Sequence, residues 1–233
     1  TIEPYITEKT KAICVVHLGG WPAEMKTIID LAKSKNIAVI EDCAQAHGGR
    51  INNKSVGSFG DIACWSFCQD KIISTLGEGG MITTSRSDLF EKVWSLKDHG
   101  KDRELSITKV DPKRKEFRWL HKHFGTNLRL TEVQSAVGRI QLERLEEWNK
   151  RRKENANILT NSLNSCPSIR VPKPMDNINH AWYKFYAFLN LENLSQGWSR
   201  ARILEELFDE GINAFSGSCG EVYLEESFQK KGY

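Results

Sequence analysis

The chain has 233 residues, of which 39% are hydrophobic and 27% are charged, a composition typical of a globular protein with a buried core. Its net charge of +3 comes from 33 basic and 30 acidic residues, so charge predicts no nucleic-acid partner. The sequence contains no apolar run of about 18 residues, so we expect no membrane-spanning helix, and it shows no secretory signal. Its six cysteines lie mostly inside apolar runs, as the reduced thiols of a cytoplasmic protein do.

The N-terminal part of the chain predicts a strand–helix–strand unit. KAICVVHL (11–18) is a nearly continuous apolar run, typical of a parallel strand that is buried on both faces. A helix is predicted from Pro22, because proline favours the first helical position and Ile28 and Ala32 then share one face. NIAVIED (36–42) is a second strand, so the unit predicts a right-handed crossover in an α/β sheet.

The middle of the chain adds two strands and two helices. The strands are DIACWSF (61–67) and GGMITTS (79–85). SDLFEKVWSLKDHG predicts a helix that ends at Gly100, and the loop of about 25 residues that follows is long enough to indicate function. A helical period then runs through 131–165, a length that indicates a helix bridging two domains.

The C-terminal part predicts a second domain. AWYKFYAFLN predicts a strand, SRARILEELFDEG a helix and GINAF another strand. We therefore expect a large α/β domain over 1–140 and, over 141–233, a long linking helix with a smaller α+β domain. The chain begins at Thr1 rather than Met and ends abruptly at KKGY, so we expect a fragment. In that fragment the first domain is incomplete at its N-terminus and the second is cut short.

Two polar side chains follow predicted strands at the edge where ligands bind in open α/β sheets. Asp42 ends the strand NIAVIED, and Lys71 follows the strand DIACWSF by four residues. A partly desolvated lysine can act as a nucleophile toward a carbonyl group. An aspartate beside a pyridine nitrogen keeps that nitrogen protonated, so that the ring becomes an electron sink. With Ser66 and nearby N–H groups as a phosphate site, these features meet the requirements of pyridoxal 5′-phosphate (PLP).

Each of these features also has an interpretation without a ligand. Lys71 could be an ordinary loop lysine, and Asp42 could form a turn at the end of its strand. GEGG needs no ligand to precede a strand, and neither the P-loop pattern nor G-x-G-x-x-G occurs. The basic segment 101–123 is either a solvated loop or a site for phosphate-bearing ligands. The residues alone leave these alternatives open.

A zinc site is a further alternative. Cys43 and His47 are four residues apart, as are Cys64 and Cys68, and three cysteines with one histidine can bind zinc. However, Cys64 and Cys68 straddle the end of a predicted strand and do not have the spacing of a zinc knuckle. Cys43 and Cys64 lie among Ile, Ala and Trp, as small core residues do. The spacing therefore disfavours zinc.

Five ordered segments carry a resemblance to a known family: VVHLGGWPAEM, VIEDCAQAHGGR, VGSFGDIACWSF, SFCQDKIISTLGEGGM and GTNLRLTEVQSAVGRIQL. Together they resemble the DegT/StrS family of PLP-dependent nucleotide-sugar aminotransferases. The resemblance implies the type I PLP-dependent transferase fold, in which a three-layer α/β/α large domain with a mostly parallel seven-stranded sheet precedes a smaller α+β domain. It also implies a homodimer whose sites are shared between the subunits.

The resemblance assigns a role to each matching residue. Lys71 is the catalytic residue and binds the cofactor covalently. Asp42 pairs with the pyridine nitrogen, Gln45 lies near the 3′-oxygen and Ser66 binds the phosphate. Asn127, from GTNLR, reaches the phosphate of the cofactor in the neighbouring subunit.

The implied reaction moves an amino group, usually from glutamate, to a keto group of a nucleotide-linked 4-keto-6-deoxy or 3-keto hexose. Such products serve glycan or lipopolysaccharide biosynthesis, and Lys71 moves the proton as general base and then acid. Dehydratase relatives carry histidine in place of this lysine, so Lys71 favours the aminotransferase. A PLP-binding regulatory protein of the same fold without turnover is the alternative. The family's N-terminal part, which supplies further cofactor contacts, lies outside this sequence.

Overall fold

The computed structural model describes residues 2–109, 113, 115–218 and 221–229. The chain divides into two compact units. Thr1–Asn157 and Lys173–Phe185 form the first, and Ile158–Pro172 and Tyr186–Tyr233 form the second. The first unit therefore includes a segment from beyond its main part, which the sequence did not indicate. As domains of the complete protein, 1–140 and 141–233 stay a prediction.

The predicted strand–helix–strand unit is confirmed. Its elements are β1 (Ala12–Val16), α1 (Met25–Ser34) and β2 (Ala38–Asp42), and β1 pairs with β2 in parallel. The helix begins at Met25 and not at Pro22, because Ala23 and Glu24 are not helical.

The prediction that β1 is buried on both faces is wrong. Burial alternates along the strand, so that Ile13 and Val15 are buried whereas Cys14 and Val16 are exposed. Met25 of α1 packs in one cluster with Ile13 and Val15 and covers their face of the strand. The opposite side of the sheet, marked by the exposed residues Cys14, Val16 and Cys64, is called the open face below.

The central sheet is mostly parallel, as predicted. The next strands along the chain are β3 (Arg50–Ile51), β4 (Lys54–Ser55), β5 (Ile62–Ser66) and β6 (Gly80–Thr83). The sheet has the order β1-β2-β5-β6, and only β6 runs antiparallel to its neighbour. β3 and β4 form a separate hairpin closed by Asn52 and Asn53, whose φ angles of 48° and 62° suit a two-residue turn.

Three helices follow the sheet: α2 (Ser87–Lys97), α3 (Arg103–Ile107) and α4 (Glu132–Leu163). α2 ends before Gly100, because His99 and Gly100 have φ angles of 59° and 78° and cannot continue a helix. α3 lies within the predicted loop. The carboxylate of Asp102 caps α3 by accepting a hydrogen bond from the Leu105 N–H at 2.8 Å. Within the described ranges, no helix combines the length and the apolar character needed to span a membrane.

The chain then forms three short strands and two helices: β7 (Ile169–Arg170), β8 (Ile178–Asn179), β9 (Phe188–Leu189), α5 (Arg200–Asp209) and α6 (Glu226–Gln229). β8 pairs with β3 inside the first unit, and β7 pairs with β9 inside the second. The helix predicted from SRARILEELFDEG is confirmed as α5.

Two strand predictions in this part of the chain need correction. AWYKFYAFLN forms a strand only at Phe188–Leu189, because its first residues bind the turn after β1, where the Ala181 N–H donates to Gly20 O at 2.9 Å. GINAF is not a strand. Gly211 has a φ of 75°, and the Ile212 N–H donates to Leu207 O at 2.8 Å, so GINAF begins by closing the end of α5.

Two apolar clusters pack on the covered side of the sheet. The first contains Ile13, Val15, Met25, Ala32, Ile37 and Val39, and the second contains Cys43, Ala46, Val56 and Ala63. Burying a large apolar side chain contributes about 1.5–3 kcal/mol to stability. This burial lies on the covered side, so the core holds the strands in place from that side, while Cys14, Val16 and Cys64 on the open face stay exposed.

Candidate functional site

Two predicted site residues lie on the open face at the ends of parallel strands. Asp42 is the last residue of β2, and Ser66 is the last residue of β5. Asp42 is in register with Val16 and Cys64, which mark the open face. Side chains two residues apart on a strand share a face, so Ser66 lies on the side of Cys64. Asp42 and Ser66 therefore occupy the carboxyl edge of the sheet, where ligands bind in open α/β folds.

The charge of Asp42 acts across the open face. Asp42 Oδ1 accepts a hydrogen bond from the Ala44 N–H at 3.0 Å, which forms a turn directly after β2. The pKa of Cys14 and that of Cys64 are raised, first by partial desolvation of each thiol against the sheet and then by the negative charge of Asp42. Cys64 is exposed, so the expectation that it is a core residue is wrong. The carboxylate is positioned to stabilise a positively charged ligand group on this face.

Glu41, the neighbour of Asp42, points to the covered side and is fully buried. Its Oε1 accepts the N–H groups of Phe59 and Gly60, each at 2.7 Å. Its Oε2 accepts the Gly57 N–H at 2.8 Å and binds His17 Nε2 at 3.1 Å. Burial acts to raise the pKa of Glu41, but these hydrogen bonds outweigh burial and lower it. Glu41 thus fixes the loop that leads into β5 directly beneath Asp42.

The side chain of His17 completes this buried network. Its Nδ1 accepts the Ala23 N–H at 3.0 Å, so its Nε2 carries the proton and donates to Glu41. His17, Glu41 and Cys43 have potential metal-ligand atoms within 4.8 Å of one another. The two Glu41 oxygens already accept four hydrogen bonds, so we interpret this cluster as structural.

The residues weighed for zinc lie in different environments. Cys43 is buried, Cys64 is exposed, and Cys68 Sγ donates a hydrogen bond to Asp70 Oδ1 at 2.8 Å. The buried cluster around Glu41 includes Cys43 but neither Cys64 nor Cys68. In the described part of the chain, the cysteines that the sequence suggested as zinc ligands therefore do not come together in one metal site.

Gln45 holds the turn that follows β1. Its Oε1 accepts the Gly19 N–H at 2.6 Å. Gly20 has a φ of 92°, and a Cβ there would lie 2.9 Å from Gln45 O and 3.0 Å from Tyr183 N. Only glycine allows this close approach. The turn therefore brings Gln45 next to the segment that carries Tyr183.

Lys71 lies on the loop after β5, with 15% of its side chain exposed. Its Nζ lies 3.2 Å from Asp70 Oδ1 and donates to Tyr183 Oη at 3.3 Å. Tyr183 Oη in turn donates to Asp70 Oδ2 at 2.6 Å. The amine predicted from sequence thus lies among two polar partners that the sequence analysis did not name.

The expectation that burial alone frees the Lys71 amine needs correction. Burial acts to lower the pKa of Lys71, but the hydrogen bonds to Tyr183 and Asp70 outweigh it and raise that pKa. The pKa of Asp70 is lowered, first by the hydrogen bond from Cys68 and then by that from Tyr183. In this state the pair is an ammonium group beside a carboxylate, and Lys71 has to lose a proton before it can act as a nucleophile.

GEGG shapes the turn into β6. Gly79 O accepts the Phe67 N–H at 2.8 Å, and a Cβ on Gly79 would lie 2.1 Å from Thr75 Oγ1. Thr75 is buried, and its N–H donates to Phe67 O at 3.1 Å. These contacts close the loop that carries Lys71 onto the end of β5.

His47 predicts a loss of stability in acid. The ring is 3% exposed and lies 5.4 Å from that of Trp65, and burial lowers its pKa to about 4. The unfolded state binds a proton near the ordinary value of 6.5, so stability falls as the pH drops from about 6.5 to about 4. We expect about 3 kcal/mol of this loss from His47.

Urea unfolding at several pH values tests this expectation with His47→Phe, which keeps an aromatic ring beside Trp65. His180, whose pKa is also lowered to about 4 by burial, titrates in both proteins and serves as the internal reference. The variant should lose about 3 kcal/mol less than the wild type over this range. Parallel stability curves would contradict the assignment.

Asn127 belongs to a different set of contacts. Its Oδ1 accepts from Arg129 Nε at 3.0 Å, and its backbone forms a bridge with Asp98. Asp98 also lies 3.2 Å from Lys101 Nζ and 3.4 Å from Arg129 Nη1. The contacts in the described part of the chain do not join Asn127 to Asp42 or Lys71. Its reach toward a neighbouring subunit stays a prediction.

The basic segment 101–123 is only partly described, because residues 110–112 and 114 lie outside the described ranges. Lys101 pairs with Asp98, and Lys122 Nζ lies 2.5 Å from Asp102 Oδ2. Part of its positive charge is therefore neutralised within the chain. A role in binding a nucleotide diphosphate stays a prediction.

Sequence reasoning missed Asp70 and Tyr183. Asp70 directly precedes Lys71, so a charged neighbour was visible in the motif. Tyr183 lies 112 residues from Lys71 in a segment that predicts a strand, so no local signal connects the two.

Comparisons with known proteins agree with the fold and with the motif order. Residues 1–222 match the DegT/DnrJ/EryC1/StrS aminotransferase family. GDP-perosamine synthase of Escherichia coli O157:H7 is 38% identical over 182 residues, which cover 78% of this chain and 46% of that protein. The dTDP-3-amino-3,6-dideoxy-alpha-D-galactopyranose transaminase of Aneurinibacillus thermoaerophilus is 36% identical over 227 residues, which cover 97% of this chain and 58% of that protein.

A solved aminotransferase from Psychrobacter cryohalolentis superposes with a TM-score of 0.92 at 45% identity and covers 98% of this chain and 60% of its own. The chain spans about half the length of the curated relatives it matches. The predicted type I fold of PLP-dependent transferases is confirmed by this and the other solved aminotransferase structures that the chain matches. With motifs, fold and a match over residues 1–222 in agreement, the chain belongs to the DegT/DnrJ/EryC1/StrS aminotransferase family.

Proposed function

We propose that the complete protein is a PLP-dependent aminotransferase that moves an amino group from L-glutamate to a keto group of a nucleotide-linked hexose. One observation carries the proposal: a largely buried lysine amine, that of Lys71, follows β5 at the sheet edge that presents Asp42 and Ser66. The names of the relatives, which include a GDP-perosamine synthase and a dTDP-amino-sugar transaminase, support a nucleotide-linked keto sugar as acceptor. They favour an enzyme over the regulatory alternative.

The donor set at the sheet edge fits PLP. The amine of Lys71 can react with the aldehyde of PLP. The carboxylate of Asp42 can pair with the pyridine nitrogen, and the hydroxyl of Ser66 can donate to the phosphate. Oε1 of Gln45 already accepts from Gly19, so its amide N–H₂ group is the part that can donate to the 3′-oxygen. Val16, which is 46% exposed beside Asp42, offers apolar surface to a flat ring. When bound, PLP supplies an electron sink for negative charge at the substrate carbon.

The proposed roles divide between binding and proton transfer. Asp42 holds a positive charge on the ligand's ring nitrogen, and the Ser66 hydroxyl donates to a phosphate oxygen. The Lys71 amine takes a proton from the glutamate carbon that bears the amino group. In the second half of the reaction it gives a proton to the sugar carbon that receives that group. Histidine in place of lysine would favour a dehydratase, so Lys71 supports the transfer reaction.

We further propose that the working form is a homodimer in which Asn127 of one subunit reaches the phosphate site of the other. The support is its separation from the other four site residues in the contacts of one chain, together with its exposed position. Mixing Asn127→Ala subunits with Lys71→Ala subunits tests this proposal. Each parent should be weak. If the sites are shared, a mixed dimer has one intact site of two and should show about half of the wild-type activity per dimer.

Borohydride reduction tests the attachment directly. The complete protein loaded with PLP is reduced, digested and examined by peptide mass spectrometry. We expect the pyridoxyl group on the peptide that contains Lys71, because its amine is largely buried after β5, at the sheet edge that presents Asp42 and Ser66. The peptide that contains Lys184 serves as the matched control, because the Lys184 amine also lies near the Tyr183 ring. Labelling of Lys184 in place of Lys71 would overturn the assignment.

The acceptor is identified with a panel of keto-sugar nucleotides and glutamate. Amino-sugar formation with a 4-keto-6-deoxy or 3-keto hexose supports the proposed substrate class. Release of water without amino transfer would mark a dehydratase, and conversion of the cofactor by glutamate with no acceptor turnover would favour the regulatory alternative.

A further inference from the structure

Lys71, Asp70 and Tyr183 form a closed ring of hydrogen bonds. The lysine Nζ contacts both partners, at 3.2 Å and 3.3 Å, and the tyrosine Oη donates to the same carboxylate at 2.6 Å. Lys71 Nζ also lies 5.1 Å from the centroid of the Tyr183 ring, within reach of a cation–π contact. The amine is therefore held from two directions.

The place of Tyr183 is fixed by its backbone. The preceding residue, Trp182, has a φ of 52°, a strained conformation for a bulky side chain. It is stabilised because the Trp182 N–H donates to His180 Nδ1 at 2.7 Å and the two rings stack at 4.1 Å. The N–H groups of Ala181 and Lys184 donate to the turn after β1. The strained backbone of Trp182 lies directly before Tyr183, and such strain is typically kept where it positions a functional side chain, here the phenol of Tyr183.

Asp70 is the charged member of the ring. It is 53% exposed and accepts hydrogen bonds from Cys68 Sγ, Lys71 Nζ and Tyr183 Oη. These hydrogen bonds favour the ionised carboxylate. The pKa of Tyr183 is raised, first by burial and then by the hydrogen bond to Asp70, so the phenol keeps its proton.

We propose that Asp70 and Tyr183 are positioning residues for Lys71: the carboxylate and the phenol hold the free lysine amine at one place, and they stabilise a proton that it has taken up until the proton is passed on. This inference rests on the proposed role of Lys71. When the amine is needed, the ammonium group gives one proton to bulk water, and neither the phenol nor the carboxylate changes its protonation. When Lys71 is free and neutral, the same two partners hold its amine where it takes up a proton.

The test measures how the reactivity of the Lys71 amine depends on pH, and it does not depend on catalytic turnover. The complete protein, freed of cofactor, is labelled with a trace of acetic anhydride between about pH 6 and about pH 11. Peptide mass spectrometry then follows the Lys71 peptide. Asp70→Asn removes the stabilising charge, so the labelling profile should move to lower pH by about one unit. Tyr183→Phe should move it in the same direction by less, because Asp70 remains.

Matched controls separate local from general effects. Asp30→Asn removes the same charge from α1, where Asp30 pairs with Lys26 at 2.7 Å. Tyr186→Phe removes a phenol that binds Ser218 at 2.6 Å. Neither control should move the Lys71 profile. Profiles of Asp70→Asn and Tyr183→Phe that coincide with the wild type would overturn the proposal.

Two further measurements keep the outcome decisive. If Asp70→Asn does not fold, high salt replaces it, because screening of the half-exposed Asp70 should also move the wild-type profile to lower pH. An unmoved profile in salt and in Tyr183→Phe would again overturn the proposal. Borohydride attachment to Lys71 is scored separately, so a failed proposed function gives no pyridoxyl peptide, whereas a failed positioning role gives that peptide with unmoved profiles.

Discussion

Lys71→Ala in the complete protein should lower the rate of amino transfer by more than about a thousandfold. General acid–base catalysis by one residue contributes about 10²–10⁴-fold, and this substitution also removes the covalent attachment. Asp70 and Tyr183, the two residues that contact the Lys71 amine in the described part of the chain, are poor substitutes, because the lowered pKa of Asp70 makes it a weak base and Tyr183 keeps its proton. The measurement is glutamate-dependent formation of amino sugar under single-turnover conditions.

Two controls make this result specific for Lys71. Lys71→Arg keeps a positive charge beside Asp70 but cannot deprotonate in the working pH range, so it should be as inactive as Lys71→Ala. A small primary amine added to Lys71→Ala should restore part of the rate, because it supplies the missing base. Full transamination by Lys71→Ala would falsify the assignment.

The outline of the fold was predictable because it depends on local patterns. Apolar runs and helical periods give β1, α1, β2 and β5 within a few residues, and the order of these elements predicts a parallel sheet. Periodicity cannot tell which faces are covered, since that depends on distant elements. This is why KAICVVHL, uniform in composition, was expected to be buried on both faces and instead exposes Cys14 and Val16.

The site was predictable only where its residues follow strands. Asp42 and Ser66 end β2 and β5, so strand assignment alone brings them to one edge. Tyr183 could not be placed, because its segment has the aromatic content of a strand but binds the Gly19–Gly20 turn. Tertiary contacts overrode propensity there. Without Tyr183 and Asp70, the charge state of Lys71 was expected in the wrong direction.

Polar residues inside apolar runs were the overlooked signal. Glu41 of VIED lies within β2 and His17 of VVHL directly follows β1, and an uncompensated charge at such a buried place is costly. In the structure, the two side chains hydrogen-bond to each other, and Glu41 also accepts hydrogen bonds from the loop before β5. This network lies beneath Asp42, so the open face depends on a buried polar support that carries none of the proposed chemistry.

Glu41→Gln should lower the free energy of unfolding by about 3–6 kcal/mol, because two of the four hydrogen bonds to the buried carboxylate lose their acceptor and each such bond to a charged group contributes about 1.5–3 kcal/mol. The amide replaces one acceptor oxygen by an N–H₂ group, which would face the N–H donors of the loop. Glu24→Gln is the matched control, because Glu24 is exposed and its side chain makes no capping hydrogen bond to α1. We expect the control to change stability by less than about 0.5 kcal/mol.

The pH dependence of Glu41→Gln separates lost charge from lost packing. The pKa of Glu41 lies below its ordinary value of 4.5, so its stabilisation is fully present above about pH 4.5 and is lost as the pH falls below that value. The difference in the free energy of unfolding between wild type and variant, measured with urea, should therefore stay constant from about pH 7 to about pH 5. It should become smaller in stronger acid. A gap that is unchanged in acid would mean that the variant loses packing and that the carboxylate charge stabilises nothing.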